Sequence, residues 1–210
     1  MSKKIMIILL SLFLFGCNTK NINQMTLKEI INESIKNTET YTNINNKGYK
    51  YHLPSEFAVY EDKDYVQTLL SRNNLYYLNI DIVSYYYKNK METKPNLEDY
   101  EYYTFNYDNK NGYLKVSKDN NTFLVELCYN YAIIEVEVEE NELRYAISRS
   151  IAILNSIQYN DLVIEKYIED NNIENSETIY NIPKPENKEN NKNILEYIEE
   201  FEVENADDLD

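Results

Sequence analysis

The sequence predicts an α+β domain: an antiparallel strand meander with an amphipathic helix packed on one face and a short helix at its N-terminal side. Three observations carry this. Phe123, Val125, Leu127 and Tyr129 alternate with Glu126 and Asn130, and Ile134, Val136 and Val138 alternate with Glu135, Glu137 and Glu139. Period two sends successive side chains to opposite faces, so one face is buried and the other wet. Leu143, Ile147, Ile151 and Leu154 recur at helical spacing, with Ala146 and Ser150 beside them, and form one apolar stripe. Polar clusters that favour turns, such as Arg72-Asn73-Asn74 and Lys118-Asp119-Asn120-Asn121, separate the apolar runs.

Taken in order, Thr26 with Glu29 fits a capping box, and Leu27, Ile30, Ile31 and Ile35 then share a helix face through Lys36. Residues 37–47 are polar and read as a loop. Tyr49 to Pro54 alternates and stops at proline, as an edge strand would. Phe57 to Tyr60 and Tyr65 to Ser71 read as short strands around a turn at Glu61 to Asp64. Leu75 to Tyr87 reads as one long strand, with Tyr76, Leu78, Ile80 and Ile82 on one side and Asn79, Asp81, Val83 and Tyr85 on the other. Lys88 to Asn96 is a polar loop. Tyr100 to Tyr107 and Tyr113 to Ser117 are strands around a turn at Asp108 to Gly112. Asn141 is placed to cap the second helix, with acidic neighbours at its positive end. Ser156 to Tyr159 closes the sheet.

The chain divides into residues 1–17, a leader; 18–47, a tether and short helix; 48–159, the body; and 160–210, an acidic, largely flexible tail. The tail includes a short helical run at Leu162 to Ile168 and an apolar patch at Leu195 to Phe201. Residues 18–159 carry 15 basic and 20 acidic residues, whereas 160–210 carry 4 and 16. The excess of acid therefore sits in the tail, which on composition is dispensable for folding. A chain of this sign excludes nucleic acid as partner and is repelled by anionic lipid headgroups.

Lys3 and Lys4 head an apolar run from Ile5 to Phe15, about 16 Å long as a helix and too short to span a bilayer core of about 30 Å. This pattern reads as an export signal. Leu14-Phe15-Gly16-Cys17 resembles the lipobox of bacterial lipoproteins. The resemblance implies that Leu14, Phe15 and Gly16 are the signal-peptidase recognition residues. Cys17 would then receive diacylglycerol and become the first residue of the mature chain, a lipid anchor on the outer face of the cell membrane. Phe15 departs from the smaller residue usual at its position. The alternative is an ordinary signal peptide with an incidental cysteine. With Cys17 consumed, Cys128 has no partner for an internal disulfide.

The body opens on "YHLP" and Phe57, continues as a meander, and ends in a helix finishing "AILNSI" with a closing strand. It resembles the PsbP-like α/β sandwich of several bacterial lipoproteins, whose members act mostly as binding or assembly factors. The resemblance carries over no catalytic residue.

No catalytic constellation stands out. His52 is the single histidine and reads as a strand residue, so no His-based metal site and no cofactor is expected. Cys128 lies on the strand phase of Leu124 and Glu126 and reads as a packing residue. The carboxylates at Asp62 and Asp64, Asp108, and Asp119 fall in turns, which favour them without any cation. Tyrosine is in excess at 22 residues. It either fills strand positions in a chain without tryptophan or forms an aromatic patch for a glycan or protein of the envelope, with Tyr85 and Tyr87 as the candidate contacts. The expected function is a lipid-anchored, non-enzymatic binding or assembly module of the envelope. The alternative is an envelope hydrolase or its accessory subunit.

Overall fold

A computed structural model describes residues 21–37 and 41–175. The sequence-predicted anchor (Leu14, Phe15, Gly16 and Cys17) and the Leu195 to Phe201 patch lie outside them. Among the described residues ten strands run as β1 (Ile44–Asn46), β2 (Tyr49–Tyr51), β3 (Ala58–Lys63), β4 (Val66–Ser71), β5 (Asn74–Ile80), β6 (Asp99–Tyr107), β7 (Lys110–Asp119), β8 (Thr122–Tyr129), β9 (Ala132–Glu139) and β10 (Gln158–Tyr159). Four α-helices join them: α1 (Leu27–Lys36), α2 (Ile82–Tyr87), α3 (Leu143–Ser156) and α4 (Asp161–Asp170). The α+β class follows.

Tight hairpins set the large sheet. Ser71 pairs Asn74, Tyr107 pairs Lys110, and Tyr129 pairs Ala132, so each loop has two residues. Both loop residues are left-handed in each case: Arg72 and Asn73, Asp108 and Asn109, Asn130 and Tyr131. Such turns match the twist of the flanking strands, and Asn and Asp tolerate the left-handed region best. Of the carboxylates singled out in the sequence, Asp64 and Asp108 take this left-handed conformation, whereas Asp62 and Asp119 lie in strands. The order is β3-β4-β5-β9-β8-β7-β6, all antiparallel. Two meanders, β3 to β5 and β6 to β9, meet where β5 pairs β9.

The inner face carries Tyr76, Leu78, Ile80, Leu114, Val116, Phe123, Val125, Leu127, Ile134, Val136 and Val138, all buried. Helix α3 crosses it over β8 and β9, with Leu143, Ile147, Ile151 and Leu154 buried as their spacing predicts. Helix α1 lies along α3. Its capping box forms, with the Thr26 N–H donating to Glu29 Oε2 at 2.9 Å and the Glu29 N–H to Thr26 Oγ1 at 3.2 Å. Arg144 Nε donates to the Met25 carbonyl at 3.3 Å, and Asn155 Nδ2 to the Ile35 carbonyl at 3.0 Å. The N-terminal ends of α1 and α3 are therefore together.

Several expectations need correction. Residues 37–47 contain β1, and β2 is the middle strand of a small sheet, β1-β2-β10, rather than an edge. Strand β3 runs through Glu61 and Asp62, which were expected in a turn. The run Leu75 to Tyr87 is not one strand: it breaks at Asp81, whose Oδ1 accepts the Ser84 N–H at 2.8 Å and starts α2. Ile82 happens to continue the strand phase, which hides the break. Asn141 does not cap α3; Glu142 stands at the cap without a side-chain bond, and a turn from Glu139 to Glu142 leads in. The body also does not end at Tyr159, because Ile164 and Ile168 of α4 are buried in the same core.

Gly112 is needed for an inner-face contact. The Phe105 ring lies where a Cβ on Gly112 would stand, 2.6 Å from Cζ, and the Cys128 carbonyl is 2.7 Å from the same point. Phe105 in turn stacks on Tyr129 at 5.6 Å. Gly112→Ala is expected to destabilise by about 1 to 3 kcal/mol through overpacking, read as a lower denaturant midpoint with unchanged slope.

Candidate binding cleft at the tyrosine-rich end

The sheet has two distinct ends. At one, β5 and β8 finish, β9 begins, and the Asn130-Tyr131 turn projects. There β10 and the start of α4 dock, because the Tyr159 hydroxyl donates to the Asn130 carbonyl at 2.6 Å. Between the β1–β2 hairpin and α4 opens a cleft of about 680 Å³, lined by residues 45–50 and 158–163, where Tyr49, Tyr159, Leu162 and Val163 stand beside the amides and charges. Gly48 makes its wall. Its φ of +87° is a conformation that side chains rarely adopt, and a Cβ there would stand 3.0 Å from Ile164 Cγ1. Asn46 Nδ2 donates to the Tyr49 hydroxyl at 2.6 Å, and Asn160 Oδ1 caps α4 by accepting the Val163 N–H at 3.4 Å. The lining is amide-rich and carries both signs of charge, so it offers donors and acceptors together. The sequence did not single out these residues; Asn160 before an apolar run was the one legible sign, as a helix cap.

Tyr85 and Tyr87 sit on α2, not on a strand. The Tyr85 ring stacks on Tyr159 at 4.0 Å and meets Tyr131 edge-on at 5.4 Å, with Lys88 Nζ 3.9 Å from the ring centre. The Tyr85 hydroxyl donates to Asp161, and the Tyr87 hydroxyl to the Ile173 carbonyl at 2.9 Å. Both phenols therefore tie α4 and the chain beyond it to the body. Tyr159 joins Tyr85 to the cleft, so the tyrosine cluster forms the support of the cleft.

Burial, with the Asp161 carboxylate beside it, pushes Tyr85 up to about 12. Burial raises Tyr49, Tyr51, Tyr76, Tyr113, Tyr129 and Tyr159 as well. An unfolded tyrosine releases its proton near pH 10. Above that pH the unfolded chain binds fewer protons than the folded one, so stability falls as pH rises; below about pH 10 this contribution is whole. Thermal midpoints are expected to hold up to about pH 10 and drop steeply from there toward about pH 12. Phenolate absorbance from the buried rings should appear with unfolding and not before it.

The remaining reactive side chains are absorbed by packing. Cys128 is buried with Sγ 4.0 Å from Met91 Sδ, and desolvation raises its thiol, so it stays protonated. The His52 ring meets Tyr41 edge-on at 4.4 Å. Glu126 and Glu135 are register partners on the outer sheet face, where Glu126 Oε1 accepts the Tyr113 hydroxyl at 2.6 Å. They stand side by side on a sheet rather than across a cleft. A second hollow of about 270 Å³ lies between α1 and α3, against Glu33, Ser34 and Arg149.

No known family model matches the chain, and no curated protein matches it.

Proposed function

We propose that the protein is an exported lipoprotein, anchored through Cys17 to the outer face of the cell membrane, which acts without catalysis as a binding or assembly module of the envelope. The observation that carries the anchor is Leu14-Phe15-Gly16-Cys17 behind a short basic and apolar leader. An antiparallel sheet with a helix laid over one face is in keeping with the PsbP-like resemblance and its binding factors. The amide-rich cleft between the β1–β2 hairpin and α4 supplies a place for an envelope glycan or protein segment. The cysteine thiol and the tyrosine cluster are held by the fold itself.

Metabolic labelling with a fatty acid tests the anchor. Wild-type protein is expected to carry label, and Cys17→Ser to carry none and to leave the membrane fraction, since two acyl chains at about 0.8 kcal/mol per buried CH₂ hold a protein stably. Label retained on Cys17→Ser would refute the reading.

A further inference from the structure

If Cys17 carries lipid, as proposed above, the length of chain behind it fixes how the body stands. Only four residue steps separate Cys17 from Asn21, where the described chain begins, a span of at most about 14 Å. Asn21 to Gln24 form a turn, with the Gln24 N–H bonded to the Asn21 carbonyl at 2.8 Å, and Ile22 and Met25 pack on the core. The leash is thus short and its body end is fixed.

That end is the one opposite the cleft. Met25 is bonded to Arg144 in the first turn of α3, which follows the end of β9. Glu139 of β9 pairs Thr122, Thr122 pairs Asp119, and Ser117 pairs Asp99 at the start of β6. Lys28 in the first turn of α1 has Nζ 4.9 Å from the centre of the Tyr103 ring on β6, so the N-terminal segment lies close to β6. Just before β6, Asn96 to Asp99 close a turn, with the Asp99 N–H on the Asn96 carbonyl at 3.2 Å and the Asn96 N–H on Asp99 Oδ2 at 2.6 Å. Leu97 stands at its tip fully exposed, and Tyr100 follows at 54 % exposure with its ring edge against Phe123. The chain beyond α4 leaves from the far end, where Asn175 bonds Asn89.

We propose that the sheet end bearing Leu97 and Tyr100 rests on the lipid surface beside the anchor, as a second, apolar membrane contact. An exposed leucine alone is ordinary. This one is held on a closed turn, beside a tyrosine suited to the headgroup level, at the end that the leash keeps within reach of the bilayer. Glu98, Glu139 and Glu140 share that end with Arg72 and Lys118, so neither sign of charge prevails there and the contact is argued as apolar. The cleft then faces outward, about 30 Å from the surface along strands of eight to ten residues.

The test uses the full acylated protein in phosphatidylcholine vesicles, with an environment-sensitive fluorophore on Leu97→Cys or on Leu162→Cys. Leu162 is the control, 77 % exposed on α4 at the cleft end; Cys17 is acylated, and Cys128 is buried. The label at position 97 is expected to shift to the blue and to be quenched several-fold more by a shallow lipid-borne quencher than the label at 162, equally at high salt. Protein that floats with the vesicles while both labels quench alike would overturn the contact and leave the anchor standing. Protein that takes up no fatty acid and does not float would overturn the anchor and the contact with it.

Discussion

Replacing Ile147 by alanine is expected to cost about 2 to 5 kcal/mol, the range for large-to-small changes in a core. Ile147 is fully buried in the middle of α3, between that helix and the inner face of β8 and β9. The methylenes removed lose their transfer free energy, and the neighbours on a rigid sheet can close only part of the cavity. Ile147→Asp should do more, placing a carboxylate in the apolar core, where no Lys or Arg is buried among the described residues. Against a total stability of about 5 to 15 kcal/mol, the aspartate variant is expected to be unfolded. Arg149→Ala breaks a bond from Nε to Glu56 Oε1 of 2.8 Å, but both side chains are a third or more exposed, so the loss stays below about 1 kcal/mol. Urea unfolding of the three variants measures this. Arg149→Ala as damaging as Ile147→Ala would mean that the helix buries its other face.

The contrast shows which signals in the sequence were strong. A stripe of four aliphatics at helical spacing and two adjacent strands of strict period two each repeat one constraint many times, and α3, β8 and β9 follow from it. Asp81 shows the opposite case. One carboxylate capping one amide changes the chain from β5 to α2, while the apolar phase runs on through Ile82. Periodicity averages over a window, so it cannot register a single hydrogen bond. Asn141 failed for a related reason: the residue type suits a cap, yet the turn from Glu139 to Glu142 had already taken the chain into the helix.

The cleft was harder to read than the fold. Its lining joins residues 45–50 to residues 158–163, and nothing local marks that meeting. It depends on β2 pairing with both β1 and β10, strands of only three and two residues. Such strands are held by what packs on them, here Tyr49 and Tyr51, whose hydroxyl donates to Gln67 Oε1 at 2.8 Å. Tyrosine excess was visible as composition. Its use, phenols donating across elements to Gln67, Asp161, Asn130 and Ile173, emerges only when distant segments come together.

The same phenols decide what happens when the chain is cut. Charge and composition make the segment after Tyr159 look dispensable, but truncation there is expected to remove several kcal/mol. Ile164 and Ile168 are 0 % and 3 % exposed, and burying an aliphatic side chain of this size contributes about 1.5 to 3 kcal/mol. Their loss alone is about 3 to 6 kcal/mol, comparable with the whole stability of a small domain. The cut also uncovers Gly48, takes Tyr167 from the Tyr65 ring, 5.4 Å away, and leaves the Tyr85 hydroxyl without Asp161. A cut after Asn175 keeps every one of these contacts and is expected to preserve the cooperative transition, although it discards most of the acidic excess. Thermal unfolding followed by circular dichroism compares the two products with the full chain. If the product ending at Tyr159 melts with the one ending at Asn175, then α4 adds nothing to the core, and the cleft it walls would have to be held by the β1–β2 hairpin alone.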